Sequence, residues 1–206
     1  MNCTYLEQSN ILGNCYFLEV LSTLSNYGQL IYQLFPNEEM PEDGIFTVCL
    51  FVDGKWQKVF IDDYFFFKKG TDEFAFVQPI DNCIYSCILE KAYAKVKGSF
   101  SALNAGYDKD AFKILTGFDS IKILLKKSFN DEEFIKFIKE KLEEGYLLSC
   151  STKDHALLLL NIYIDKDISE TCLQIRNPWG GPYNDEARQL IKFYEKKMVK
   201  IIINLQ

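Results

Sequence analysis

The sequence predicts an α+β fold in which helices dominate the first half of the chain and strands the second. Amphipathic stretches with helical spacing recur up to Gly145, and short apolar runs separated by polar turns follow it. This separation of helices from strands is typical of the α+β class. We therefore predict a helical lobe over residues 1–105 and a β-rich lobe over residues 106–206, joined near Asn104-Ala105-Gly106.

The first helix is predicted over residues 15–24. Its apolar residues have helical spacing: Phe17, Leu18, Leu21 and Leu24. The preceding Gly13-Asn14 pair is a turn signal. Cys15 is therefore expected at the N-terminus of the helix, where unpaired backbone amides and the helix dipole stabilise a thiolate.

A hairpin is predicted next, and a second helix follows it. Residues 45–51 alternate between apolar and smaller side chains, Asp53-Gly54 is a strong two-residue turn signal, and the returning strand covers residues 56–61. The second helix is predicted over residues 81–97, with Gly98 near its C-cap.

The remaining elements are one helix and a set of strands. The helix is predicted over residues 131–144, with Asn130 as its N-cap. Strands are expected at residues 146–150, 155–163, 171–176 and 198–204. The sequence contains no internal repeat and no low-complexity tract.

The composition indicates a globular protein inside the cell. With 48% hydrophobic residues the chain can bury a core, and a net charge of −6 argues against nucleic acid or an anionic membrane as partner. No apolar run reaches the length of a membrane span, and the N-terminus lacks the features of a signal peptide. Seven scattered cysteines fit a reducing compartment, so we expect a cytoplasmic location. No metal site is predicted.

Three residues form a candidate catalytic set: Cys15, His155 and Asn177. A thiol attacks as its thiolate, an imidazole moves the proton, and a side-chain amide can orient that imidazole. His155 is the only histidine of the chain, so any base-assisted reaction has one candidate base. The order Cys, His, Asn, with wide separation after the cysteine, resembles papain-like cysteine proteases.

Five motifs resemble the protease core of the calpain family, in the order of that family. They are Gln8-Ser9-Asn10-Ile11-Leu12-Gly13-Asn14-Cys15-Tyr16-Phe17-Leu18, Gly54-Lys55-Trp56-Gln57-Lys58-Val59-Phe60-Ile61-Asp62-Asp63, Ile88-Leu89-Glu90-Lys91-Ala92-Tyr93-Ala94-Lys95, Asp154-His155-Ala156-Leu157 and Arg176-Asn177-Pro178-Trp179-Gly180. The resemblance implies a papain-like fold with the active site in the cleft between the two lobes. It also implies that Trp179 shields the His155–Asn177 pair from water.

Departures from the calpain pattern concern the oxyanion hole and calcium. The family's oxyanion-hole glutamine would fall on Ser9, and Gln8 lies one residue earlier. A one-residue insertion at Asn10-Ile11 would leave Gln8 usable, whereas the alternative is that Gln8 faces solvent. Cys83 stands where the family has an acidic calcium ligand, so we expect no calcium dependence and no cofactor.

The sequence therefore predicts an intracellular calpain-like cysteine endopeptidase that acts on proteins or peptides. The competing hypothesis is a catalytically weak or inactive calpain-like module that binds and regulates partners, because Gln8 is displaced. Acyl transfer of the transglutaminase type is less favoured by the local motifs. The resemblance also leaves room for regulatory domains or subunits that are not part of this chain.

Overall fold

The computed structural model describes residues 6–37, 39–79, 83–124, 131–151, 156–165, 170–176, 189–192 and 200–204. Its helices are α1 (Cys15–Ser25), α2 (Gly28–Tyr32), α3 (Tyr85–Lys97), α4 (Asp108–Thr116) and α5 (Asp131–Glu143), with a short 3-10 helix at Ser101–Leu103. Its strands are β1 (Leu6–Glu7), β2 (Ile45–Val52), β3 (Lys55–Asp62), β4 (Gln78–Pro79), β5 (Ser120–Leu124), β6 (Leu147–Ser151), β7 (Ala156–Asp165), β8 (Glu170–Arg176), β9 (Gln189–Lys192) and β10 (Lys200–Asn204).

The described strands form one large antiparallel sheet and two small ones. The large sheet has six strands in the order β5-β10-β6-β7-β8-β9. The β2–β3 hairpin turns at Asp53 and Gly54, whose φ angles of 51° and 79° suit a tight hairpin turn. The third sheet joins β1 to β4 and so ties the start of the described chain to the segment before α3.

Helix α1 is the centre of the packing. Its residues are buried on every side from Tyr16 to Leu24, as expected for a helix in the interior of a protein rather than on its surface. It packs against α4 and also against β6 and β7 of the large sheet. A helix placed in this way has its position fixed by several elements at once.

The described side chains form two hydrophobic clusters. The first surrounds α1 and includes Phe17, Tyr93 and Phe112, with the Phe17 and Tyr93 rings stacked at 4.6 Å between centroids. The second lies between α5 and the large sheet and includes Phe134 and Ile138. Helix α4 follows the boundary expected at residue 105 yet contributes to the first cluster. The division into lobes at that residue stays a prediction.

The helices and strands predicted from the sequence are confirmed where the structure describes them. The expected helices at residues 15–24, 81–97 and 131–144 correspond to α1, α3 and α5, and Gly98 ends α3 with a φ of 95°. The cap expected at Asn130 lies outside the described residues. The described elements that were not predicted are α2, α4, the 3-10 helix, β1, β4, β5 and β9. No helix in the described part of the chain combines the length and apolar character needed to cross a membrane.

A close approach between Gly106 and the Tyr16 ring joins the segment before α4 to α1. A Cβ at Gly106 would lie 2.4 Å from Cζ of Tyr16, which is far inside normal contact. Tyr16 is buried, so its ring has little room to move aside. Glycine is therefore required at residue 106 for α1 to sit where it does.

We predict that Gly106→Ala lowers the free energy of unfolding by about 1–3 kcal/mol, because the added methyl overpacks a buried ring. Chemical denaturation followed by tryptophan fluorescence measures this. Gly28→Ala is the matched control, since its Cβ would meet Tyr32 at an ordinary 3.9 Å. Equal stability of the two variants would contradict the argument.

Candidate functional site

Cys15 is the first residue of α1 and carries a free thiol. It is half-buried, while the residues that follow it in the helix are fully buried as far as Leu24. The most enclosed helix of the described structure therefore presents its N-terminal cysteine at the protein surface. A nucleophile in this position is accessible and also rigidly supported.

The backbone of Asn14 starts the helix. Its carbonyl oxygen accepts hydrogen bonds from the backbone amides of Phe17 and Leu18, at 2.9 and 3.2 Å. The Asn14 side chain makes no capping bond, although asparagine commonly caps a helix in this way. The Cys15 amide has no acceptor within the helix, as is general for the first turn. The amide end of α1 is therefore open to negative charge.

The Asn14 side chain is held instead by Glu90 of α3. Asn14 Nδ2 donates to Glu90 Oε1 at 2.6 Å, and the backbone amide of Val77 donates to Glu90 Oε2 at 3.1 Å. Glu90 is 2% exposed and Asn14 is 1% exposed. Burial raises the pKa of Glu90 to about 7, although the bonds from Val77 and Asn14 oppose that rise.

Glu90 and Asn14 had no assigned role from the sequence. A signal was present, because Glu90 shares a helix face with Cys87, Tyr93 and Ala94, which lie three or four residues away and are apolar. An acidic residue on a buried helix face needs hydrogen-bond donors. The sequence alone gives no indication that the donors come from the residue before Cys15 and from Val77.

The segment before Cys15 is closed into a ring by three connections. Glu90 joins Asn14 to Val77, β4 begins at the next residue, and β4 pairs with β1 through Leu6 opposite Pro79. We call residues 6–14 together with Val77, β4 and Glu90 the cysteine ring. It anchors both ends of the loop that leads to Cys15.

Gln8 lies inside this ring and does not extend into solvent. Its Nε2 donates to the Leu12 carbonyl oxygen at 2.7 Å, and its Oε1 is buried with no partner among the described atoms. Ser9 is buried and its hydroxyl accepts from the Ile11 amide at 3.3 Å, while Ile11 is 57% exposed. The chain thus turns outward at Asn10-Ile11, where the sequence suggested an extra residue. The oxyanion role of Gln8 stays a prediction.

Gly13 is braced from the opposite side by Asn104 and Ala105. The Gly13 amide donates to Asn104 Oδ1 at 2.9 Å, and the Ala105 amide donates to the Gly13 carbonyl at 2.9 Å. A Cβ on Gly13 would lie 2.6 Å from Asn104 Oδ1. The segment predicted to join the two lobes therefore also supports the loop that leads to Cys15.

His155, Asn177 and Trp179 lie outside the described residues, so the geometry of the predicted triad is not described. Their chain neighbours are described. Ala156 begins β7 and Arg176 ends β8, and the two strands pair with Leu158 opposite Arg176. Strand β7 packs against α1, the helix that begins at Cys15.

The other described thiols differ from Cys15. Cys87 and Cys150 are buried, and burial raises the pKa of both, that of Cys87 to about 12. Cys49 is half-buried, while Cys83 is disulfide-bonded and so offers no free thiol. Low exposure and a raised pKa make Cys87 and Cys150 poor nucleophiles.

Cys15 lines neither of two cavities in the described structure, although Val77 and Glu90 of the cysteine ring line the smaller one. A cavity of about 350 Å³ is lined by Leu34, Cys49, Trp56 and Phe118 among others, and Cys15 does not line it. Among the described residues, no group of histidine, cysteine or acidic side chains is arranged to hold a metal ion. Cys15 together with the cysteine ring is therefore the candidate site.

A family model and individual known proteins both relate the chain to calpains. The model of the calpain family cysteine protease matches residues 1–201. Mouse calpain-1 catalytic subunit is 30% identical over 92% of this chain and 30% of its own length. Calpain clp-1 of Caenorhabditis elegans is 31% identical over 86% of this chain and 26% of its own. The chain spans less than a third of the length of these curated relatives.

The raised pKa of Glu90 predicts a pH-dependent stability. In the unfolded chain the carboxyl ionises near its ordinary value of 4.5, whereas in the folded chain it holds its proton up to about 7. The contribution of Glu90 to the free energy of unfolding is therefore fully present below pH 4.5, where the carboxyl is protonated in both states. It is lost as the pH rises through 7, where the buried carboxyl has to ionise. Glu90→Gln cannot ionise and should escape this loss.

We expect Glu90→Gln to gain on the order of 1–3 kcal/mol of stability relative to the native chain between about pH 5 and pH 8. Urea unfolding at several pH values measures the difference. Glu73→Gln, at an exposed carboxylate, is the control and should show no such trend. A pH-independent difference for Glu90→Gln would refute the assignment of the shift to burial.

Proposed function

Because the chain belongs to the calpain family of cysteine proteases, we propose that it is a calpain-like endopeptidase that cleaves protein substrates through Cys15, His155 and Asn177. The observation that carries the proposal is the free, half-buried thiol of Cys15 at the open amide end of a buried helix. Accessible thiols at helix N-termini have the environment that a cysteine nucleophile requires.

The proposed reaction proceeds through an acyl-enzyme. His155 takes the Cys15 proton, and the sulfur attacks the scissile carbonyl carbon, so that the π electrons move to oxygen. When the carbonyl reforms, the C–N bond breaks and His155 donates the proton to the leaving amine. Water, deprotonated by His155, then attacks the acyl carbon and releases the acid and the free thiol. Asn177 orients the imidazole of His155, and Trp179 shields their hydrogen bond.

Chain connectivity supports this assignment of His155 and Asn177. His155 directly precedes β7 and Asn177 directly follows β8, and these strands pair in antiparallel fashion with Leu158 opposite Arg176. Ala156 and Arg176, to which the two residues are bonded, therefore lie toward the same end of one strand pair. Since β7 packs against α1, that strand pair belongs to the same packed unit as Cys15.

Two donors are assigned to stabilise the oxyanion: the Cys15 backbone amide and the Gln8 side chain. The Cys15 amide has no acceptor within α1, so it is free to donate to a negatively charged oxygen. Gln8 Nε2 carries two hydrogens, of which one is donated to Leu12. The second hydrogen is the one that would contact the oxyanion.

A second candidate function is a calpain-like module that binds partners and cleaves weakly or not at all. The engagement of Gln8 with the Leu12 carbonyl favours it, because a donor held elsewhere stabilises the oxyanion less. Under either function we propose protein partners and a cytoplasmic location, and regulatory domains or subunits outside this chain remain candidate partners.

Labelling of Cys15 by a peptide with a thiol-reactive warhead tests the proposal. At neutral pH, Cys15 should react much faster than free cysteine, and His155→Ala should lower the rate at least a hundredfold, since general base catalysis contributes roughly 10²–10⁴. Cys49→Ala should leave the rate unchanged, which separates Cys15 from the other half-buried thiol. Equal labelling of the His155→Ala variant would favour the binding module.

We predict that Gln8→Ala lowers kcat about 100- to 1,000-fold with little change in KM, because an oxyanion contact is strongest in the transition state. Steady-state kinetics on a peptide substrate measures this. Glu7→Ala, one residue earlier, is the control. Unchanged turnover of Gln8→Ala would remove Gln8 from the mechanism.

Peptidase activity is predicted to survive chelation of calcium. The position expected to supply an acidic ligand is Cys83, and hard cations need several oxygen ligands. Turnover should therefore be equal with and without a chelator. Complete loss of activity on chelation, restored by added calcium, would contradict this.

A further inference from the structure

We propose that Glu90 is a positioning residue for Cys15, and that it acts by holding the Asn14 side chain away from the amide end of α1. This rests on the proposed function and deepens it. Glu90 belongs to α3 and reaches Cys15 only through the residue that precedes it. It is not expected to touch substrate.

The backbone and the side chain of Asn14 have separate roles at the start of α1. Its carbonyl starts α1 by accepting from Phe17 and Leu18. An asparagine at this position ordinarily turns its side chain toward the amides of the second and third helical residues, here Tyr16 and Phe17. Glu90 holds the side-chain nitrogen at 2.6 Å, and Asn14 Oδ1 has no partner among the described atoms. In this arrangement Asn14 makes no side-chain capping bond to α1.

The open helix end is what a cysteine nucleophile uses. Unpaired amides in the first turn carry a partial positive charge that stabilises a thiolate on Cys15 and an oxyanion beside it. A capping Asn14 would neutralise part of that charge and occupy the same space. The bond between Asn14 and Glu90 therefore keeps the amides available, at the cost of a cap that would stabilise the helix.

Glu90 depends on the Asn14 side chain for one of its described hydrogen bonds. Glu90 lines a small cavity, and the other titratable side chains that line it are Cys87 and Lys91 on its own helix and Tyr64 from the segment after β3. Lys91 is engaged by Asp62 and by the Tyr64 carbonyl, and Cys87 donates to the Val77 carbonyl. The described hydrogen bonds to the Glu90 carboxylate come from Asn14 and the Val77 amide.

The chemistry of the pair predicts which variants retain function. In Glu90→Gln, the new Oε1 can accept from Val77 while its Nε2 donates to the vacant Oδ1 of Asn14, so the side chain stays held. Glu90→Leu has a similar size but removes both acceptors and releases Asn14. Asn14→Ala removes the side chain that Glu90 holds, and with it any capping bond. Comparison of the three variants therefore separates the effect of holding the Asn14 side chain from the effect of the charge on Glu90.

The test is alkylation of Cys15 by iodoacetamide, located by mass spectrometry, together with kcat and KM on a peptide substrate. Glu90→Leu should slow alkylation at least tenfold and lower kcat with KM little changed. Glu90→Gln should stay within threefold of the native chain. Asn14→Ala should be less impaired than Glu90→Leu, because it has no side chain to cap α1. Glu73→Leu is the control for the same replacement at an exposed carboxylate.

Two outcomes would overturn the proposal: native alkylation rates in Glu90→Leu, or equal impairment in Glu90→Leu and Glu90→Gln. If Glu90→Leu does not fold, the double variant Asn14→Ala/Glu90→Leu takes its place. Its alkylation rate is compared with that of Asn14→Ala alone. A rate far below that of Asn14→Ala would refute the role of Asn14. Alkylation does not require protease activity. An inactive protein whose Cys15 alkylation still depends on Glu90 would therefore refute the proposed function and leave this inference standing.

Discussion

The buried carboxyl group of Glu90 is the constraint on which the arrangement around Cys15 depends. One oxygen holds the residue that starts α1, and the other holds the segment that leads into β4. Because β4 pairs with β1, the Glu90 carboxyl fixes the chain at both ends of the loop that leads to Cys15. Burying an acidic group is unfavourable unless donors satisfy it, so the group enforces the local geometry that supplies them.

The second support is the burial of α1. A helix enclosed by α4, β6 and β7 has little freedom to rotate or slide, so the position of its first residue is well determined. Gly13 and Gly106 extend this rigidity, since close contacts with Asn104 and Tyr16 exclude side chains at both positions. Cys15 is thus accessible at the end of an element that the core holds firmly.

Sequence reasoning located Cys15 at a helix start because turn residues and apolar spacing are local signals. It missed α4, whose apolar residues Ala111, Phe112, Ile114 and Leu115 form a short amphipathic pattern beside a lobe boundary that had been expected to be a loop. It also missed the roles of Asn14 and Glu90, since a contact between residues so far apart in the chain leaves no local pattern. His155 and Asn177 rest on motif order, and their geometry stays a prediction.

The enclosure of α1 also has a consequence for the order of folding. Cys15 and its helix precede β6 and β7, the strands that cover this helix, by a long stretch of chain. An isolated helix of this length is marginal in water, so α1 depends on its packing partners, of which these distant strands are two. During synthesis the thiol is therefore made before the strands that cover its helix. The half-buried surroundings of Cys15 are complete only after β6 and β7 have joined the fold.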